Sequence, residues 1–102
     1  MIDLIEHHRA ELADLCRRYH VLTLELFGSA ADGTFDPARS DLDFLVEFLP
    51  VGPGQLFDFF FDLKDELQTL FRREVDLVSP RTIRNSYLLK AINESRQVVY
   101  AA

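Results

Sequence analysis

The sequence predicts a small α/β domain of the α+β type, in which about four strands form a mixed sheet with helices packed on it. Two observations lead to this fold class. Apolar residues recur at helical spacing in three segments, and short apolar runs of strand length lie between and after these segments. Read along the chain, the predicted order is α-β-β-α-β-α-β.

The first half of the chain contains one predicted helix and two predicted strands. Apolar spacing predicts an amphipathic helix over residues 3–18. A strand is predicted over residues 20–28, where leucine occupies every second position and a glycine ends the run. Glycine, aspartate, proline and serine predict a loop over residues 33–40, and an apolar run predicts a second strand over residues 41–49.

The second half of the chain continues with a helix, a strand, a helix and a strand. After the breaker PVGPG, a long helix is predicted over residues 54–72 and a third strand over residues 74–78. Ser79 and Pro80 have the residue types of a helix cap and a first helical position, so we expect the last helix to begin there. A short final strand is predicted over residues 97–101.

Length, charge and cysteine content limit the class of protein. A chain of 102 residues fits a single domain over residues 1–102 that buries its own core. The net charge of −6 argues against nucleic acid as the main partner. No apolar run approaches the roughly 18 residues that a membrane span requires. The single cysteine, Cys16, suits a reducing compartment, so we expect a cytoplasmic protein.

Three aspartates on two predicted strands form the candidate site. Asp41 and Asp43 are one residue apart, so both side chains lie on the same face of a strand. Asp76 alternates with apolar neighbours in the third strand and can share that face. Three carboxylates without a matching lysine cluster repel one another unless a cation lies between them. Because Mg²⁺ prefers such oxygen ligands, the pattern predicts a magnesium site.

The pair Gly28-Ser29 supplies a second feature of the site. It lies where the first strand gives way to a turn or a short helix. Glycine allows close approach of the backbone, and N–H groups with a serine hydroxyl can bind phosphate oxygens. Phosphate donors beside a carboxylate metal site indicate chemistry on a nucleoside triphosphate.

Taken together, Gly28-Ser29, Asp41-x-Asp43 and the later Asp76 resemble the signature of the minimal nucleotidyltransferases in the DNA polymerase beta superfamily. The resemblance covers nearly the whole chain and implies the nucleotidyltransferase fold. It also implies that Asp41 and Asp43 ligate two magnesium ions. Asp76 would complete the site and help to deprotonate the attacking hydroxyl, and Gly28 and Ser29 would hold the triphosphate of ATP.

The same resemblance implies a partner and an activity. Members of the family often pair with a helical HEPN-domain protein as antitoxin and toxin, and well-studied members transfer AMP from ATP to a tyrosine of the toxin. A chain of 102 residues leaves little room for an acceptor domain of its own. The expected function is therefore that of an adenylyltransferase antitoxin whose acceptor hydroxyl belongs to another chain.

One departure from the family pattern leaves an alternative open. The family commonly has an arginine or lysine after Gly-Ser, whereas this chain has Asp32. An acid there would repel a triphosphate, and Arg39, Arg81 or Arg84 are the cations that could compensate. The alternative is an antitoxin with weak or no catalysis that neutralises a HEPN partner by binding alone.

The long predicted helix carries more aromatic residues than one buried face requires. Phe57 and Phe61 lie one turn apart on its flank. They either widen the buried face or form a partner surface. A homodimer through these two side chains is one form that such a surface could take.

Overall fold

The computed structural model describes residues 1–80 and 83–102. These residues form helices and strands in the order α1 (Asp3–Glu6), α2 (Arg9–Arg18), β1 (Val21–Phe27), α3 (Ser29–Asp32), β2 (Leu42–Phe48), α4 (Pro53–Phe71), β3 (Val75–Val78), α5 (Ser86–Ser95) and β4 (Gln97–Ala101). None of these helices is both long and apolar enough to cross a membrane.

The four strands form one mixed sheet in the spatial order β3-β2-β1-β4. β1 is antiparallel to both of its neighbours, whereas β2 and β3 are parallel and are connected through α4. The long helix is needed for this connection because parallel neighbours cannot be joined by a tight hairpin. The predicted fold class, a mixed sheet of about four strands with helices packed on it, is confirmed.

One face of the sheet, the core face, carries most of the buried apolar surface. Helices α1, α2 and α4 contribute to it, and Phe44 of β2 is fully buried there with its ring 6.1 Å from that of Phe71. The other fully buried side chains of this cluster with the largest volumes are Ile5, Leu12, Leu24, Leu26, Leu42, Leu63, Leu67, Val21, Val46 and Val75.

The opposite face, the carboxylate face, is packed more thinly. Its apolar cluster consists of Phe27, Leu45 and Ile92, and α5 contributes the isoleucine. The same face carries Asp43 and Asp76, because side chains alternate along a strand and their neighbours Leu42, Phe44, Val75 and Leu77 enter the core face. The site predicted from the sequence therefore lies on the face with the smaller apolar cluster.

The single helix predicted over residues 3–18 is wrong in one respect, because the chain breaks it into α1 and α2. His8 leaves the helical region with φ −117° and ψ 18°. Its ring accounts for the break, since Nδ1 lies 2.8 Å from the Leu4 carbonyl oxygen and the ring packs edge-on against Phe71. The apolar spacing continues across the break because it interrupts the helix for only two residues.

Leucine alternation in the first strand is also interrupted. A bulge shifts the pairing of β1 with β2 between Val21 and Thr23. As a result, Val21 is buried and Leu22 is 37% exposed, whereas Leu24 follows the predicted alternation. A bulge of this kind places two residues opposite one, which the sequence pattern alone does not reveal.

The last helix begins later than predicted. α5 starts at Ser86, and the side chain of Asn85 caps it by accepting hydrogen bonds from the backbone N–H groups of Tyr87 and Leu88. Asparagine is as good a cap as serine, so the predicted start at Ser79 and Pro80 is wrong. Part of the predicted first turn, residues 81 and 82, lies outside the described residues.

Phe57 and Phe61 do not widen the buried face of α4. Phe57 is 67% exposed and Phe61 is 46% exposed, and their ring centroids lie 4.6 Å apart. The buried face of α4 is formed instead by Leu63, Leu67 and Phe71. Of the two interpretations of this aromatic pair, the wider buried face is therefore wrong.

Candidate functional site

Asp43 and Asp76 lie side by side on the carboxylate face. They are direct partners in the parallel register of β2 and β3. Asp43 is partly buried and Asp76 is exposed. Burial raises the pKa of Asp43 to about 6, and the charge of Asp76, a hydrogen bond with its side chain and the charge of Asp41 add to the effect. Burial and the neighbouring Asp76 therefore disfavour the charged form of Asp43 when no cation is near.

Asp41 takes a different position from the other two acids. It is exposed and precedes β2, outside the strand that holds Asp43. Its charge reaches Asp43 and contributes to the raised pKa there. Even so, within residues 1–80 and 83–102 no three His, Cys, Asp or Glu side chains come close enough together to form a metal site. The structure thus brings Asp43 and Asp76 together and leaves Asp41 at the rim.

The donor set of this pair fits a hard divalent cation. Carboxylate oxygens are the protein ligands that Mg²⁺ prefers, and it commonly takes only one or two of them together with substrate phosphates. A cation would also relieve the repulsion by Asp76 and Asp41, which adds to burial in raising the pKa of Asp43. Two adjacent carboxylates with a third at the rim are therefore chemically suited to such a metal.

Gly28 makes room for Asp43. Its backbone has φ 71° and ψ −149°, a region that residues with a side chain rarely enter. A Cβ atom at this position would lie only 2.3 Å from the Oδ2 atom of Asp43. The N–H group of Gly28 donates to Oγ of Ser95 at 3.1 Å. What Gly28 offers the site is therefore space beside Asp43, since its own N–H group is already engaged.

Ser29 begins the short helix α3 directly beside this glycine. It is partly buried, and the carbonyl oxygen of Gly28 closes the helix by accepting from the N–H groups of Ala31 and Asp32 at 3.0 Å each. The turn thus fixes Ser29 directly after Gly28, the glycine whose backbone lies beside the Asp43 carboxylate. The structure keeps the Gly-Ser element at the end of β1 that the sequence predicted.

Asp32, the departure from the family pattern, has a local structural role. Its exposed carboxylate accepts hydrogen bonds from the backbone N–H and the hydroxyl of Thr34, at 3.0 and 2.6 Å. These bonds lower the pKa of Asp32. They close the turn at Gly33, which ends α3 in the left-handed conformation with φ 89°. The acid is therefore explained as a turn residue.

Two polar residues that the sequence analysis missed hold α5 against the carboxylate face. Arg96 forms a two-pronged ion pair with the buried Glu25 of β1, with N–O distances of 2.5 and 2.8 Å. Ser95 receives the N–H group of Gly28 and donates to the Ala91 carbonyl oxygen. A glutamate inside the apolar run of β1 was the signal that could have indicated a buried ion pair.

The sequence and fold match proteins of known family. The model of the nucleotidyltransferase domain family matches residues 9–99. A protein of Methanocaldococcus jannaschii named as a protein adenylyltransferase, MJ0128, is 37% identical over 92 residues, which cover 90% of this chain and 87% of the relative.

Solved structures agree with this match. A minimal nucleotidyltransferase is 30% identical with a TM-score of 0.72, covering 94% of this chain and 95% of that one. A toxin-antitoxin complex with AMP-PNP gives a TM-score of 0.68 at 22% identity, covering 92% of this chain and 73% of that one. A complex of the tri-AMPylated Shewanella oneidensis HEPN toxin with MNT antitoxin gives a TM-score of 0.65 at 17% identity, covering 96% of this chain and 73% of that one. At these last two identities the likeness concerns the fold.

The family match spans nearly the whole chain and includes Gly28, Ser29 and the three aspartates. The relatives agree with it at both the sequence and the structural level. The resemblance read from the motif is thereby confirmed, and the chain belongs to the nucleotidyltransferase domain family, among the minimal nucleotidyltransferases.

Proposed function

We propose that this chain transfers the AMP group of ATP to a hydroxyl group on a partner protein. The observation that carries the proposal is the pairing of Asp43 and Asp76 on adjacent parallel strands, with Gly28 leaving space beside them. The adenylyl group, rather than another nucleotide, is supported by the name of the Methanocaldococcus jannaschii relative and by the AMP-PNP in a structural neighbour.

Asp41, Asp43 and Asp76 are the residues that would hold two magnesium ions. When bound, Mg²⁺ neutralises the charge of the triphosphate and polarises the reacting oxygens. The exposed rim position of Asp41 leaves it free to turn toward the pair when the nucleotide arrives. Such a cation would favour the ionised form of Asp43, whose pKa burial and the neighbouring acids raise in the free chain.

Asp76 is the proposed proton acceptor. Its side chain is exposed on the edge strand β3, so a hydroxyl from another chain can reach it. As the acceptor oxygen forms a bond to the α-phosphorus of ATP, the bond from that phosphorus to the bridging oxygen breaks and pyrophosphate leaves. The hydroxyl proton moves to the Asp76 carboxylate, which accounts for all atoms and charge.

Ser29 and Gly28 are the proposed contacts of the triphosphate. Ser29 can donate its hydroxyl to a phosphate oxygen, and the absence of a side chain at Gly28 lets the phosphate approach Asp43. The Asp32 carboxylate accepts hydrogen bonds from Thr34, so Asp32 is not one of the proposed triphosphate contacts.

The proposed acceptor is a tyrosine of a HEPN toxin, which makes this chain the antitoxin of a pair. Support comes from the structural neighbour in which an MNT antitoxin accompanies an AMPylated HEPN toxin. An acceptor on another chain also fits the exposure of Asp76 at the sheet edge.

Calorimetric titration of ATP with magnesium into the chain tests the site. We expect magnesium-dependent binding in the wild type and none in the Asp41→Ala/Asp43→Ala double variant. Asp58→Ala/Asp62→Ala, which removes two exposed aspartates of α4, is the charge-matched control and should bind normally. Equal binding by the wild type and the site variant would contradict the proposed nucleotide site.

The second candidate function is an antitoxin that neutralises a HEPN toxin by binding alone. It is favoured by Asp32, an acid where the family commonly has a base, and by the absence of a three-ligand cluster among the described residues. Asp43→Ala separates the two functions in a toxicity assay with a HEPN toxin. A transferase variant still binds the toxin but no longer neutralises it, whereas a binder loses neither property.

A further inference from the structure

Arg73 lies between α4 and β3 and reaches the loop that leads to Asp41. Its Nη1 atom donates to the Ser40 carbonyl oxygen at 3.2 Å, and its guanidinium lies 5.1 Å from the ring centroid of Phe35. Both partners belong to the loop before β2. The side chain of Arg73 therefore connects the loop before β2 to the start of β3.

A second contact holds the same segment from the other side of Asp41. The backbone N–H of Leu42 donates to the carbonyl oxygen of Glu74 at 3.2 Å. The residues immediately before and after Asp41 are thus bound to consecutive residues, Arg73 and Glu74. In the described part of the chain, no other side chain donates a hydrogen bond to the Ser40 carbonyl oxygen.

A contribution to folding stability does not explain why position 73 is occupied by an arginine. Arg73 is partly buried, and its Nε atom is buried without a hydrogen-bond partner in the described part of the chain. No carboxylate among residues 1–80 and 83–102 forms an ion pair with Arg73. A buried N–H group without a partner costs free energy, which an apolar side chain of similar length would avoid.

We propose that Arg73 is a positioning residue for the nucleotidyl transfer site, acting through the Ser40 carbonyl oxygen to hold the backbone of Asp41 at the rim of the Asp43–Asp76 pair, from where its side chain can turn toward the pair. The inference rests on the proposed function, because it assigns Asp41 a ligand role. Arginine suits the task because one guanidinium group lies over the ring of Phe35 while an N–H of the same group donates to Ser40. Lysine can supply the charge but only part of this geometry.

Two variants and a matched control test the inference. Arg73→Met keeps the length of the side chain and removes the charge and the donors, whereas Arg73→Lys keeps the charge. Arg72→Met removes the same charge from the exposed neighbouring position. Backbone ¹⁵N relaxation at Ser40 and Asp41, compared with Val46 in the core, measures the order of the segment without any need for nucleotide.

In Arg73→Met we expect order to fall at Ser40 and Asp41 and to stay unchanged at Val46. Calorimetry should then show magnesium-dependent ATP binding weakened by about tenfold or more, since loss of position at a site commonly costs one to two orders of magnitude. Arg73→Lys should recover only part of the affinity, and Arg72→Met should behave as the wild type.

Chemical rescue adds a measurement that a purely structural role would not move. A cavity of about 550 Å³ borders Arg73, and its lining includes Leu4, His7 and Phe35. Free guanidinium at low millimolar concentration should enter it in Arg73→Met and restore part of the ATP affinity, while Arg72→Met and the wild type should not respond.

The failure of the inference and that of the proposed function are distinguishable. Unchanged order at Asp41 in Arg73→Met, or lost order with unchanged ATP affinity, overturns the positioning role while the wild type still binds. Absence of magnesium-dependent binding in the wild type overturns the proposed function, and the positioning role with it.

Discussion

The two faces of the sheet use the same strands for opposite purposes. On the core face, β2 and β3 contribute Phe44 and Leu77 to a large, continuous apolar cluster under three helices. On the carboxylate face, the same two strands contribute Asp43, Asp76 and Leu45, and Leu45 belongs to a cluster of three buried residues in the described part of the chain. Because successive side chains of a strand point to opposite faces, a residue that stabilises the core lies next to a residue of the candidate site.

This difference shows what the large core makes possible. Placing Asp43 partly buried beside Asp76 raises its pKa and costs stability. The cost is tolerable because the opposite face buries enough apolar surface to hold the sheet together. The carboxylate face itself is secured by few contacts, chiefly Ile92 in the apolar cluster and the Glu25–Arg96 ion pair.

Phe44→Ala should cause the largest loss of stability. Phe44 is fully buried and stacks with Phe71, so its removal leaves a cavity that we expect to cost about 3–5 kcal/mol. Phe27→Ala, on the carboxylate face, should cost less because fewer buried side chains surround it. Urea unfolding at pH 7 measures both, and an equal loss would contradict the contrast between the faces.

Gly28→Ala should damage both stability and the site. The new Cβ would meet the Asp43 carboxylate and strain a backbone with φ 71°, which together should cost about 2–4 kcal/mol. Gly33→Ala is the matched control, because it also has positive φ but no atom within 4 Å of the added Cβ.

We expect Gly33→Ala to cost about 1–2 kcal/mol and to keep magnesium-dependent ATP binding. Gly28→Ala should lose that binding, since Asp43 must move. Urea unfolding and calorimetry on both variants separate backbone strain from the clash, and retained ATP binding in Gly28→Ala would count against the role given to this glycine.

Arg96→Met should destabilise the carboxylate face by leaving Glu25 buried without its partner. The side chain of Glu25 is 11% exposed, so we expect a loss of about 1–3 kcal/mol. Arg17→Met breaks the exposed pair with Asp14 and should change stability by no more than about 0.5 kcal/mol. Thermal unfolding measured on both variants tests this, and an equal change would mean that burial of the pair has no effect.

Asp43→Asn should stabilise the metal-free chain at neutral pH. The pKa of Asp43 is about 6 in the folded chain, above the usual value of 3.8. Its stabilising contribution is therefore complete below pH 3.8 and is lost as the pH rises through 6. Asparagine does not titrate, so above pH 7 the variant should gain about 1–2 kcal/mol over the wild type.

The gain of Asp43→Asn should shrink as the pH falls toward 4, where the wild-type carboxyl is protonated. Urea unfolding in EDTA from pH 4 to pH 8 measures this profile, with the exposed Asp58→Asn as the control. A gain that does not vary with pH would show that the raised pKa of Asp43 is not its cause. The variant should at the same time lose magnesium-dependent ATP binding.

The sequence pattern predicted most of the elements because each one is marked locally. Boundaries of β2, α4 and β3 agree with the predicted ranges to within one residue, since breakers such as PVGPG and the Asp43 alternation fix them. Errors arose where one local signal competed with another. Ser79-Pro80 and Asn85 are both plausible helix starts, and only packing of α5 on Phe27 and Leu45 favours the second.

The break at His8 and the bulge in β1 were not predictable from local spacing. Each depends on a partner distant in sequence, namely Phe71 for the ring of His8 and Phe48 for the register of Val21. The contacts of the candidate site have the same origin. The role of Arg73 depends on Ser40, which lies 33 residues earlier in the chain.

By itself, the sequence determined the element types, the acidic residues on strands β2 and β3, and the family to which their spacing belongs, because periodicity and residue chemistry are local properties. The tertiary structure decided which acids meet. Parallel pairing of β2 with β3 places Asp43 beside Asp76 and leaves Asp41 at the rim. The tertiary structure also explains why residue 28 is a glycine. The Asp43 carboxylate approaches the backbone of Gly28 only when β1 and β2 have paired.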